Sequence, residues 1–105
     1  MQPELVDALF IDDAHRFTIT EIVHITGLAA ADVTVLVECG AIAPQDPGAA
    51  AWTFPAGSVD VARRARALRD EFALDDVHAV AIIVRFEQRM RTLEREIAAL
   101  RARLG

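Results

Sequence analysis

Hydrophobic positions along this chain recur at helical spacing in four stretches, with short β-prone runs between them. The first stretch opens at Thr18 or Thr20, either a good N-cap, and Glu21 three residues after Thr18 completes a capping box. A helix is predicted over about 20–26, burying Ile22 and Ile25, with Gly27 at its left-handed stop. Val33, Leu36 and Val37 form an i, i+3, i+4 stripe, which predicts a second helix over about 30–39, ended by Gly40. Two short helices joined by a glycine-containing turn have the helix-turn-helix shape.

Strand signals flank this pair. Leu9-Phe10-Ile11 and residues 16–18 read as short strands joined by a turn at Asp12-Asp13. Ala41-Ile42-Ala43-Pro44, a loop through Pro47-Gly48, and Trp52-Thr53-Phe54 read as a hairpin wing. After Pro55-Ala56-Gly57, Ser58 is placed to cap a third helix with Asp60 in its first turn. Its predicted buried face is Val61, Ala65, Leu68 and Phe72; Arg63, Arg64, Arg66 and Arg69 cover the remainder.

Asp76 is the predicted N-cap of the last helix. There Ala79, Ile83, Phe86, Met90, Leu93, Ile97, Leu100 and Leu104 repeat at 4-3-4-3-4-3-4 spacing, a heptad seam. Such a helix is about 43 Å long at 1.5 Å per residue, so its distal half calls for a partner. The expected fold is mainly α with a small β-hairpin wing: a winged helix-turn-helix over 1–75 and a long heptad helix over 76–105. Phe86, Met90, Leu93, Ile97, Leu100 and Leu104 are the expected homodimer seam, a coiled coil. In a parallel pair Arg89 meets Glu94 and Glu96 meets Arg101, both attractive; one antiparallel arrangement sets Arg89 against Arg103. Parallel pairing is the weak preference, and a tail folded back on its own domain is the alternative.

Charge changes the picture more than composition does. Residues 1–62 hold nine acids and Arg16, a net −8, while residues 63–105 hold seven acids and ten arginines, a net +3. Between Phe17 and Ala62 there is no Lys or Arg. A helix that reads DNA needs cations to neutralise phosphates, yet the would-be reading face carries Glu21, Asp32 and Glu38. The face therefore suits a basic protein surface better than nucleic acid. Val35 points away from the core stripe between Asp32 and Glu38. Trp52 is the sole tryptophan; it either seals the wing onto the core or anchors an interface. Glu21, Asp32, Val35, Glu38 and Trp52 are the candidate partner-binding residues.

Other chemistry is sparse. His15, His24 and His78 lie far apart with no ligand spacing, and Cys39 reads as a small buried hydrophobe. Asp12-Asp13 and Asp75-Asp76 fall at element boundaries, where turn and cap duty accounts for them. No phosphate loop or nucleophile motif occurs. Neither catalytic, cofactor nor metal residues are expected, and the protein is not expected to be an enzyme. A lone cysteine, no apolar run of transmembrane length and an acidic start at Met1-Gln2-Pro3-Glu4 predict a cytoplasmic protein.

Phe17-Thr18-Ile19-Thr20-Glu21, the His24-x-Thr26-Gly27-Leu28 turn, Gly40-Ala-Ile-x-Pro44 and Trp52-Thr53-Phe54 together resemble the CbpM family of chaperone modulators. So do Arg63-x-x-x-Ala67-Leu68-Arg69-x-Glu71-Phe72-Ala73-Leu74-Asp75 and the leucine-rich last helix. The resemblance spans residues 17 to 104. It implies a MerR-like winged helix that binds the J-domain of the co-chaperone CbpA and inhibits it. The alternative reading is a MerR-like transcriptional regulator that binds DNA through the second helix and the wing.

Overall fold

The computed structural model describes residues 15–105. Among them are two strands and four helices: β1 Arg16–Thr18, α1 Ile19–Thr26, α2 Ala30–Glu38, β2 Thr53–Pro55, α3 Ala56–Glu71 and α4 Val77–Leu104. The strand expected at 9–11 and the Asp12-Asp13 turn lie outside the described residues.

Local signals place most boundaries. Thr18 Oγ1 accepts from the Glu21 N–H at 3.1 Å while Glu21 returns a bond to the Thr18 N–H at 3.0 Å, so the capping box forms and α1 starts at Ile19. Gly27 closes α1 at φ 77°. The axes of α1 and α2 then bend by 112°, within the range of a helix-turn-helix. Gly40 at φ 79° closes α2, and the Ala41 N–H reaches back to the Leu36 carbonyl at 2.9 Å.

That last bond corrects the wing. Ala41 and Ile42 both direct their N–H groups at the Leu36 carbonyl and bury their side chains, so residues 41–44 are not extended and do not pair with β2. Instead β2 pairs antiparallel with β1, Phe17 opposite Phe54 and Arg16 opposite Pro55. The small antiparallel sheet is present, but it joins segments more than 30 residues apart, and the loop from Gly40 to Trp52 is what projects beside it.

Helix α3 also starts earlier than Ser58. Pro55 is its N-cap, Ser58 is buried inside it and Asp60 falls past the first turn. The inward face is Ser58, Val59, Ala62, Ala65 and Leu68, with Val61 half-buried. Phe72 is 59 % exposed, contrary to expectation. Ala73 adopts φ 50°, and the Leu74 N–H returns to the Arg69 carbonyl at 3.0 Å. This reversal, a Schellman turn, swings half-buried Leu74 against the core in place of Phe72.

The core joins every element: Phe17, Ile22, Leu28, Val33, Leu36, Phe54, Val59, Leu68, Val80 and Val84 are buried in one cluster. Asp76 caps α4 by accepting from the His78 N–H at 2.9 Å. The first two turns of α4 thus belong to the domain core through Val80, Ala81 and Val84, while Ala79 and Ile83 are only half-buried. Phe86 lies two residues past Val84, about 200° round the helix, and is 65 % exposed. The exposed stripe runs Ile82, Phe86, Met90, Leu93, Ile97, Leu100 and Leu104. Every residue after Thr92 is exposed, so the tail does not fold back on its own domain.

Candidate functional site

The five candidate binding residues lie on α1, α2 and the loop before β2. Glu21 is committed locally. Its bond from the Thr18 N–H holds its carboxyl below the ordinary value, with the Thr18 hydroxyl and nearby His15 adding to the effect. His15 Nε2 lies 3.8 Å from Glu21, and its ring meets Phe17 edge-on at 4.4 Å.

Asp32, Val35 and Glu38 follow each other at three-residue spacing along one side of α2, the side next to its buried stripe of Val33 and Leu36. Their roles differ. Asp32 accepts from the Ala29 N–H at 3.0 Å, capping α2, and from Arg69 of α3 at 3.2 Å. Val35, expected to point away from the core stripe, is instead half-buried against the core. Glu38 is exposed, and it forms no ion pair with another described residue. Of the two carboxylates, that of Glu38 is the more open to solvent.

Trp52 is half-buried. Its indole Nε1 donates to the Pro47 carbonyl at 3.2 Å, and its ring stands edge-on to buried Phe54 with centroids 6.4 Å apart. The ring's contact with Phe54 helps seal the sheet, and Trp52 also lines a shallow concavity. Trp52, Ala50 and Ala51 form one wall and Thr18, Ile19 and Thr20 the other, bordering an open space of about 500 Å³. The fold thus gathers Trp52 and the Glu21 turn around one hollow, with Asp32 turned instead toward α3.

The arginines of α3 are the residues that periodicity missed. Arg66 donates to the Thr26 carbonyl at 3.2 Å and to Asp70 at 2.7 Å. Arg69 reaches Asp32, and Arg64 holds Glu87 of α4 in a two-pronged pair at 2.6 and 3.0 Å. Placed as a solvent-covering face, they instead tie the helix-turn-helix and α4 onto α3. Arg66 and Arg69 bracket the α1–α2 turn: Arg66 lies at the carboxyl end of α1, where a cation complements the helix dipole, and Arg69 is held at the amino end of α2 by the Asp32 carboxylate. Their guanidinium groups are engaged within the fold.

Among the described residues no group of three or more His, Cys, Asp or Glu side chains is placed to hold a metal ion. Cys39 is half-buried and His24 exposed. No single described helix is long and apolar enough to cross a membrane.

Comparison with known proteins agrees with this architecture. Residues 17–102 match the family of MerR HTH family regulatory proteins. Chaperone modulatory protein CbpM of Salmonella arizonae is 33 % identical over 78 residues, which cover 74 % of this chain and 77 % of the relative. The chain belongs to the CbpM family of MerR-type helix-turn-helix proteins. CbpM proteins of Salmonella paratyphi B and Salmonella newport match at the same 33 % identity and coverage. Membership fits the observed mainly helical fold with its two-stranded sheet, and the matched span includes α4 nearly to its end.

Proposed function

We propose that this CbpM-family chain is a cytoplasmic, non-enzymatic chaperone modulator. In this reading it docks on the J-domain of a CbpA-type co-chaperone through an acidic surface and inhibits that co-chaperone. Glu38, Trp52 and Val35 supply the contact, with Glu21 and Asp32 contributing field from their capped positions. The exposed stripe from Phe86 to Leu104 receives a second copy of the chain in a coiled coil.

The observation that carries this reading is the direction of the nearest cations. Helices α1 and α2 hold no Lys or Arg, and the two α3 arginines that reach them, Arg66 and Arg69, donate to the Thr26 carbonyl and to Asp32. A surface so composed repels a polyanion and steers a basic protein toward it. The test is titration of purified J-domain with the wild-type chain and with Glu38→Lys combined with Trp52→Ala. Affinity should fall at least about tenfold in the double variant and should weaken with added salt. Equal affinity for both proteins would remove this surface from the reading.

A DNA-binding regulator is the second reading, favoured by the match to MerR HTH regulatory proteins. Sequence-specific retardation of DNA in a low-salt gel shift would select it over the first.

A further inference from the structure

The concavity beside Trp52 is built from small and apolar side chains held on rigid backbone. Asp46 Oδ1 accepts from the Gly48 N–H at 3.1 Å, and the Ala49 N–H donates to the Asp46 carbonyl at 3.1 Å. The Gln45 N–H donates to the Thr53 carbonyl at 2.7 Å, tying the loop to the outer edge of β2. With the Trp52 indole fixed on Pro47, this wall is set before anything binds. The facing wall is the first turn of α1, fixed by the Thr18–Glu21 capping box. Preorganised walls cost little entropy on association. The space of about 500 Å³ exceeds that of any one side chain, and it is open to solvent beside exposed Ala50 and Ala51.

We infer that this hollow is an anchor subsite that takes an aliphatic or aromatic side chain projecting from a cationic surface of the partner. The inference rests on the proposed docking function and adds to it the place and chemistry of one contact. Its apolar part follows from Ile19, Ala50, Ala51 and Trp52, which offer a side chain dispersion and water exclusion but no charge. Its cationic part follows from the surroundings. Glu21 is bonded to Thr18 of one wall, Asp46 anchors the loop of the other, and no Lys or Arg occurs from 17 to 62. The positive end of α1 is already met by the Glu21 carboxylate, so an acidic segment gains nothing there.

Ala51→Arg and Ala51→Glu test it, since both fill the hollow with bulk while shifting charge in opposite senses. Ala51 is exposed, and unchanged thermal melting of both variants is the control for folding. Each should bind purified J-domain about tenfold or more weaker than wild type, and the emission of Trp52, the sole tryptophan, should shift to the blue when an otherwise tryptophan-free J-domain binds. Weakening by Ala51→Arg alone would mark a purely electrostatic surface and overturn the inference. Unshifted Trp52 emission would do so too, since the partner would then add no cover to the indole. Wild-type affinity in both variants would overturn the subsite and leave the docking function standing. Failure of the wild-type chain to bind would instead remove both.

Discussion

Arg69 of α3 donates to Asp32 Oδ2 at 3.2 Å, across 37 residues of sequence. The same carboxylate oxygen accepts from the Ala29 N–H, so one atom both caps α2 and fastens it to α3. The Asp32 side chain is only 17 % exposed, and Arg69 is its cation. Removing the arginine leaves a partly desolvated carboxylate uncompensated. Arg69→Met should lower unfolding free energy by about 1–2 kcal/mol, measured by urea denaturation. A double-mutant cycle with Asp32→Asn, which retains a capping oxygen, should show coupling between the two positions; additive effects would mean the contact contributes nothing.

Two positions in the left-handed region should respond in opposite directions. A Cβ on Gly27 would collide with the Arg66 guanidinium and would sit at φ 77°. Gly27→Ala should therefore destabilise by at least about 1 kcal/mol. Ala73 already carries the strain of φ 50° in the turn after α3. Ala73→Gly should raise stability by up to about 1 kcal/mol. Paired thermal melts check both, and a shift of the same sign in the two variants would defeat the backbone argument.

The carboxylates impose a pH dependence whose sign follows from their partners. The Arg64 guanidinium lowers Glu87, Arg66 lowers Asp70, and the Thr18 N–H lowers Glu21, each below its ordinary value. Folded values below unfolded ones mean stabilisation that is fully present above the unfolded values, near 4. It is lost as pH falls through the folded values. Chemical denaturation midpoints should thus stay level from about pH 7 to 5 on account of these groups and decline below about 4. The Glu87→Gln variant should show a shallower acid decline than wild type; an identical decline would assign the acid sensitivity elsewhere.

Helix α4 should separate stability from assembly within a few residues. Val84 is 1 % exposed in the core, so Val84→Ala should cost about 2 kcal/mol. Phe86 and Ile97, on the outward stripe, make no comparable contact with their own domain. Phe86→Glu combined with Ile97→Glu should lower the mass seen by light scattering while the domain stays folded. A wild-type chain that is already monomeric at high concentration would leave the stripe to another partner.

Helix ends were legible because their signals act within one turn. Thr18 with Glu21, Gly27, Gly40 and Asp76 each satisfy or release backbone groups a few residues away, so neither packing nor partners need be known. The seam from Phe86 onward was legible for a similar reason: a heptad repeat states its own face. Less of the candidate site could be read. Trp52 and Glu38 stand out by residue type, but Ile19, Ala50 and Ala51 carry no signal until the loop is folded against α1. The hairpin expectation failed because strand propensity at Thr53-Phe54 does not name a partner, and the turn after α2 had already used the N–H groups of Ala41 and Ile42.

Amino-acid order alone determined where α1, α2 and α4 begin and end, the outward heptad, and the lack of cations along the helix-turn-helix. Tertiary structure decided that β2 pairs with β1, that Leu74 replaces Phe72 at the core, and that Arg66 and Arg69 face inward. The division has one physical cause. Capping and periodicity depend on neighbours within about four residues, whereas the destination of a long cationic side chain depends on which carboxylate or carbonyl the folded chain brings beside it.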